Sequence, residues 1–398
     1  MTDLGKVYMQ IWQLLYPDPQ VTIAVRPCWI NEFGFDAIRQ LRRRIADAGL
    51  GPTPRVLNST SPRIHIHGGG RYDSDTEYEK SIHLAHQISL KVLIMESFIK
   101  SRETRPQLLQ SLLAALPPLD KSLEEFRDVA TLSDGYKIDL QIVRPRGVDE
   151  SNADRPLILL WPGGGFIVAG VEPTTRPARE FALEFGAVVV NATYRLAPEN
   201  KFPRSVKDGW ETAVWLSKNA GRFGADLSKG FVVGGWSAGA NIASVVSQRS
   251  GVEGLGITGT LLGIPFLLVK EIVPEKYAKE WVSRETNAEW SPTFTTAVIN
   301  DVSKALQAEI KSPWYSPFND PEAIPKSPKA YIQVGDRDPL RDDGLIYAKV
   351  LKDNGIESRV DNYPDWGHQG WTIFAPQDQP AELGPNTMKG MRWLLGKE

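Results

Sequence analysis

Phe231-Val232-Val233-Gly234-Gly235-Trp236-Ser237-Ala238-Gly239 is the stretch whose reading decides the fold. An apolar run leads into a G-x-S-x-G pattern, and the residues that follow, 238–249, have the composition of a helix. A serine held between a strand and a helix in this way sits on a turn so tight that only glycine fits beside it. Its hydroxyl is thereby pushed out above the sheet. Ser237 is the candidate nucleophile.

Outward from this turn, short apolar runs bounded by Gly or Pro recur at 157–161, 187–191, 230–234, 259–264, 329–334 and 358–363. Helical segments at 177–184, 205–219, 238–249, 344–353 and 386–395 separate them. Strands alternating with helices predict an α/β fold with a mostly parallel central sheet flanked by helices. Two alternating stretches, 126–132 and 136–143, surround Ser133-Asp134-Gly135 and predict a hairpin. The segment 267–312 breaks the rhythm, being mainly helical and rich in Trp, Lys and Glu, and reads as a lid insertion. Residues 1–125 carry only helical and loop patterns, among them 35–48, 77–101 and 106–116. The expected organisation is a helical N-terminal region over 1–125 contributing to a cap, a core in two parts over 126–266 and 313–398, and the lid between them.

Composition narrows the function classes. Of 398 residues 41% are hydrophobic and 24% charged, which excludes a disordered or fibrous chain. Lys plus Arg number 46 against 48 Asp plus Glu, a net charge of −2 that offers no footprint for nucleic acid. The single cysteine, Cys28, supports neither an intrachain disulfide nor a thiolate cluster. The apolar stretch 7–16 is broken by Gln10 and Gln13, and no run approaches the length of a bilayer span, so the expectation is a cytoplasmic protein without membrane insertion.

A serine hydroxyl needs a base to take its proton, and histidine titrates in the useful range. Of His65, His67, His83, His86 and His368, only His368 follows Ser237, in a loop beyond the strand 358–363. It is the candidate base. The orienting carboxylate is sought after another late strand, where Gly335-Asp336-Arg337-Asp338-Pro339-Leu340 offers Asp338 or Asp336, and strand spacing does not choose between them. An oxyanion requires main-chain N–H donors. Ala238, next to the serine, supplies one, and the glycines of Pro162-Gly163-Gly164-Gly165-Phe166 supply the others, with Gly164 and Gly165 as candidates.

At these residues the sequence resembles the hormone-sensitive-lipase-like family of α/β-hydrolases, over roughly residues 126–398. The family's H-G-G-G loop is similar to Pro162-Gly163-Gly164-Gly165, its Y-R-L-A-P-E segment matches Tyr194-Arg195-Leu196-Ala197-Pro198-Glu199, and its G-D-S-A-G elbow is similar to Gly235-Trp236-Ser237-Ala238-Gly239. Its D-P-L-x-D segment matches Asp338-Pro339-Leu340-Arg341-Asp342, and on that match Asp338 is preferred as the acid. Its H-G-F segment is approached by His368-Gln369-Gly370-Trp371. The resemblance implies the α/β-hydrolase fold and a Ser237, Asp338 and His368 triad. Three departures accompany it. Pro162 stands where the family has the histidine that braces the glycine loop, Trp236 replaces the aspartate beside the nucleophile, and Gln369 adds a residue after His368.

His67-Gly68-Gly69-Gly70 spells the family loop literally, yet it precedes the hairpin and lies outside the strand-and-helix region, so the later loop is the functional one. His65 with His67 and His83 with His86 lack a carboxylate or cysteine partner, and no metal or other cofactor is expected. The expected chemistry is hydrolysis of a carboxylic ester of a bulky apolar small molecule through an acyl-enzyme. Phe166, Trp236, Trp366 and Trp371 are the candidate substrate contacts, and Trp281, Trp290, Phe294, Trp314 and Tyr315 lie in or beside the lid insertion. Two alternatives stay open: the same triad serving an acyltransferase or thioesterase, and a catalytically dead scaffold that only binds a small molecule. A homodimer is compatible with all of them.

Overall fold

The computed structural model describes residues 113–114, 116–168, 170–288, 296–368 and 379–398. The expectations for the N-terminal cap over 1–112, for the four early histidines, for His67-Gly68-Gly69-Gly70, and for Trp290, Phe294, Gln369 and Trp371 lie outside the described residues, while the end of the region expected to be helical, 123–125, belongs to the first strand. Among the described residues eight strands form one sheet: β1 (Leu123–Thr131), β2 (Lys137–Pro145), β3 (Leu157–Trp161), β4 (Val188–Ala192), β5 (Phe231–Trp236), β6 (Gly259–Gly263), β7 (Lys329–Gly335) and β8 (Ser358–Tyr363). Their spatial order is β1-β2-β4-β3-β5-β6-β7-β8. β1 and β2 form the expected hairpin, β2 meets β4 antiparallel, and every pairing from β4 onward is parallel. β3, β4, β5 and β6 are buried along their whole length. That is why they read as unbroken apolar runs, while the half-exposed β1 alternates.

The helices are α1 (Glu172–Phe185), α2 (Arg204–Asn219), α3 (Ala238–Glu253), the single turn α4 (Ser283–Thr286), α5 (Thr296–Leu306), α6 (Arg341–Asp353) and α7 (Leu383–Leu394). α1 and α7 close one face of the sheet through a core that includes Phe181, Phe185, Met391 and Trp393 packed with Ile158, Leu160, Val189 and Val232. α2, α3 and α6 close the other, where Gly209 of α2 approaches the ring of Trp161 and Gly344 of α6 approaches Val334 and Ile332. Three helices start three or more residues earlier than the pattern predicts, among them α7, which begins at Leu383. α1 begins at Glu172, because Pro173 is tolerated in a first turn and Pro177 is carried inside the helix. α6 begins at Arg341, with Asp342 and Asp343 favoured in a first helical turn.

Registers such as Trp161 opposite Gly235, Trp236 opposite Gly263 and Gly335 opposite Tyr363 bring the C-terminal ends of β3, β5, β6, β7 and β8 level. The loops that follow these strands emerge along one edge, where open α/β sheets hold their ligands. Between β6 and β7 the described part of 267–312 forms short turns at Lys270–Ile272 and Glu275–Tyr277, then α4, then α5. No helix among the described residues is long and apolar enough to cross a membrane.

Candidate active site

Ser237 alone joins β5 to α3, with φ 54° and ψ −115°. An L-residue in that region is strained and persists only when its surroundings over-determine it. Here they do. Ser237 N–H donates to Gly263 O at 2.9 Å, and Asn241 N–H donates to Ser237 O at 3.0 Å. A Cβ on Gly235 would stand 2.7 Å from Trp161 O, and one on Gly239 would stand 2.7 Å from Pro162 O, both closer than such atoms approach. Glycine on either side is therefore a packing requirement of the elbow.

The loop after β8 brings His368 to this serine across 131 residues of chain, with Nε2 2.9 Å from Ser237 Oγ. His368 Nδ1 lies 2.8 Å from Asp338 Oδ2, in the loop after β7. A carboxylate only accepts, so this contact puts the ring proton on Nδ1 and turns the Nε2 lone pair toward the serine hydroxyl. Asp338 is fully buried, and its second oxygen accepts the Leu340 N–H at 2.7 Å. Asp336, the other aspartate left open by strand spacing, points elsewhere. Its side chain is half exposed, with Oδ1 3.3 Å from Asn362 Nδ2 and 3.6 Å from Arg341 Nη1.

The loop after β3 turns at Gly164, φ 134°, and Gly165, φ 60°. Gly164 O accepts from the N–H groups of Ile167 and Val168 at 3.1 and 3.0 Å, and a Cβ on Gly164 would strike the Val168 main chain. Gly163 is pressed against Trp236 O, which ties this loop to the elbow and the Ala238 amide beyond it. The brace that a histidine at 162 would give comes from a different residue. Tyr194 Oη donates to Pro162 O at 3.0 Å, and Ala197 N–H donates to Phe166 O at 2.9 Å, so the Tyr194–Glu199 motif holds both ends of the loop. A further anchor follows: Arg195 bonds the buried Asp208 through Nη2 at 2.7 Å and also reaches Asp134 at 2.7 Å.

Gly165, Phe166, Ala238, Phe266, Ile299 and Val302 surround Ser237 in a narrow cleft. Phe166 also lines a neighbouring crevice with Phe202, Val206, Leu306 and Tyr315. Burial pushes the Tyr315 phenol up to about 12, so it stays protonated across the working pH range. Of the expected substrate contacts, Phe166 lines the cleft. Trp236 does not: its indole covers Gly263 and belongs to the buried core, only 5% exposed. Trp366, partly buried, likewise packs against that core. Phe266, Ile299 and Val302 were not singled out by sequence. For Ile299 and Val302 the one signal there is the amphipathic character of 296–306, which says that a face is buried without saying against what. Among the described residues no cluster of three or more His, Cys, Asp or Glu is placed to hold a metal ion.

A family model described as the alpha/beta hydrolase fold matches residues 158–372. An AB hydrolase superfamily protein of Schizosaccharomyces pombe is 28% identical over 295 residues, covering 74% of this chain and 85% of that one. The carboxylesterase NlhH of Mycobacterium tuberculosis is 31% identical over 235 residues, covering 55% of this chain and 67% of its own. Among solved structures, vibralactone cyclase superposes with a TM-score of 0.67 at 26% identity, covering 73% of this chain and 85% of the other. With the sheet order, the elbow and the aligned loops already described, the match over 158–372 establishes that this chain belongs to the α/β-hydrolase fold family, in the hormone-sensitive-lipase-like group that its motifs resemble.

Proposed function

We propose that the protein is a serine carboxylesterase in which Ser237, His368 and Asp338 act as a triad. The observation that carries this reading is the single imidazole bonded to both partners, 2.9 Å from Ser237 Oγ and 2.8 Å from Asp338 Oδ2. His368 takes the hydroxyl proton as Ser237 Oγ bonds the ester carbonyl carbon, and the carbonyl oxygen becomes an oxyanion facing the amides of Gly164, Gly165 and Ala238. Collapse breaks the bond to the alcohol, which leaves with the proton from His368. Water, deprotonated by the same imidazole, then releases the acid. Asp338 keeps the imidazole in its productive tautomer and stabilises the imidazolium.

The apolar wall of Phe166, Phe266, Ile299 and Val302 supports esters of bulky apolar small molecules, with α5 and the other described residues of 267–312 serving as lid. The test is Ser237→Ala, which should lower turnover of a p-nitrophenyl ester by at least about 10⁴-fold. Undiminished hydrolysis by a folded Ser237→Ala protein rejects the assignment.

A second reading is favoured by the enclosure of the serine, only 7% exposed beneath apolar side chains. In a cleft that limits water, an acceptor other than water can take the acyl group, including a group of the substrate itself; the likeness to vibralactone cyclase accords with this. Product analysis with a competing alcohol separates the two. A purely binding role draws no support from the paired Ser237 and His368, and labelling of Ser237 by a fluorophosphonate would exclude it.

A further inference from the structure

Asn287, just beyond α4 in the insertion, is buried, with 7% of its surface exposed. Its side-chain Nδ2 donates to the main-chain oxygens of Asp336 at 2.9 Å and Asp338 at 3.0 Å. Thr286 Oγ1 faces Asn287 Oδ1 at 3.3 Å, which fits the amide in this orientation. An amide nitrogen carries two hydrogens in a fixed plane, so one that bridges two carbonyls holds the turn between them in one shape. That turn bears the carboxylate bonded to His368.

Asn287 is itself firmly seated. Val282 N–H and Ser283 N–H donate to Asp342 Oδ2 at 2.7 and 2.6 Å, and Ser283 Oγ donates to Pro339 O at 2.9 Å. Arg284 Nη2 donates to Asp343 Oδ2 at 2.8 Å, and Trp281 Nε1 donates to Asp343 Oδ1 at 3.1 Å. Residues 281–287 and 336–343 are thus joined by mostly buried hydrogen bonds, and a satisfied buried network is rigid.

We propose that Asn287 is a positioning residue for the acid of the triad: by bridging Asp336 O and Asp338 O it holds the Asp338 carboxylate where it can bond His368, so the insertion supplies part of the catalytic geometry. This rests on the reading of Asp338 as the orienting acid. Hydrogen bonds weaken steeply as angle and distance drift, and a misplacement of about 1 Å from a change outside the chemistry can cost up to about 100-fold in rate.

The experiment uses the full chain with p-nitrophenyl butyrate and compares Asn287→Ala, Asn287→Asp and Asp338→Asn. Asn287→Ala removes both bonds. Asn287→Asp keeps the shape but turns a carboxylate oxygen against two carbonyl oxygens. Both should lower kcat by about 10- to 100-fold while KM stays within about twofold. Both should also shift or broaden the low-field proton resonance of His368 Nδ1–H, which a change in folded fraction alone would not move. Should both Asn287 variants fail to fold, Thr286→Val, at an exposed position, removes the hydroxyl facing the amide and should lower kcat in the same direction by a smaller factor. Wild-type kcat in whichever of these variants fold, or a loss that follows folded fraction with an unmoved resonance, overturns the proposal. If Asp338→Asn itself retains full activity, the triad reading fails as well; if Asp338→Asn is impaired and the folded position 287 and 286 variants are not, only the role of Asn287 falls.

Discussion

Gly239 meets Trp161 backbone to backbone: α3 leaves the elbow so close to the end of β3 that a side chain on Gly239 would enter the Trp161 carbonyl group and stand 2.7 Å from Pro162 O. The nucleophile and the glycine loop are consequently one packed unit. The serine's strained backbone and the loop's left-handed turns are fixed by the same contact, which links the packing of two strand ends to the preorganisation of an oxyanion site.

Replacing Gly239 by alanine should therefore damage both properties at once. The clash is with backbone, which cannot swing aside as a flexible side chain would. The expected loss of stability is about 1–3 kcal/mol, as for an overpacked core, with a fall in kcat/KM beyond what the folded fraction explains. Urea titration and ester hydrolysis on the same samples check this. Wild-type activity in a fully folded Gly239→Ala protein would show that the unit tolerates separation.

Tyr194→Phe tests the substitute brace at Pro162. The change removes only the hydroxyl that donates to Pro162 O at 3.0 Å and keeps the ring beside Phe166. One such bond contributes about 0.5–1.5 kcal/mol, so kcat/KM should fall by about 2- to 10-fold with a small shift in melting temperature. Unchanged kinetics would mean that the Ala197 contact with Phe166 O holds the loop unaided.

Asp134, in the turn of the β1–β2 hairpin, gives a pH-dependent test of the anchor behind that loop. The hydrogen bond from Arg195, and then the one from Tyr136 N–H, hold its carboxyl below the ordinary value of 3.8. The folded state thus binds this proton less readily than the unfolded chain, so the group's stabilisation is complete above that ordinary value and is lost as pH falls through the lowered one. Asp134→Asn should be less stable than wild type at pH 6, and the difference should shrink below about pH 4 and with added salt. Urea midpoints across pH 6 to 2.5 read the effect, which is small because the pair is partly exposed. A difference independent of pH would assign it to something other than charge.

The fold was legible in the sequence because its central strands are buried on both sides and end at Gly or Pro, so that β3 occupies the very residues the apolar run marked. Helix starts were less legible, as at Pro177, since proline marks a boundary only in the absence of a packed helix able to carry it. Ser237 and His368 stood out through motif and chain order, while Asp336 and Asp338 could not be told apart by spacing, because both follow the same strand and only the turn decides which carboxylate faces inward. The roles of Tyr194, Ile299, Val302 and Asn287 were out of reach for a different reason. Each acts on a partner distant in sequence, Tyr194 and Asn287 through main-chain oxygens and Ile299 and Val302 through an apolar wall, none of which local periodicity encodes.

Trp236 is the residue whose role changes most between sequence and structure, and a double-mutant cycle with Gly263 tests the new one. The two are opposite each other across β5 and β6, and a Cβ on Gly263 would stand 2.5 Å from Trp236 Nε1. Gly263→Ala alone should be overpacked, by about 1–3 kcal/mol, and Trp236→Ala alone should leave a cavity costing about 3–5 kcal/mol. In the double variant the new methyl enters space the indole has left, so the combined loss should be smaller than the sum by about 0.5–3 kcal/mol. Restoring the family's aspartate, Trp236→Asp, should destabilise more than Trp236→Ala, because a carboxylate at this core position would be buried beside Leu261 and Ile264 with no cation supplied. The same variants separate packing from recognition: a side chain that covers Gly263 governs stability, and Trp236→Ala should leave the order of preference among acyl chain lengths as in wild type. A reordered preference with unchanged urea midpoint would return Trp236 to the substrate side of the elbow.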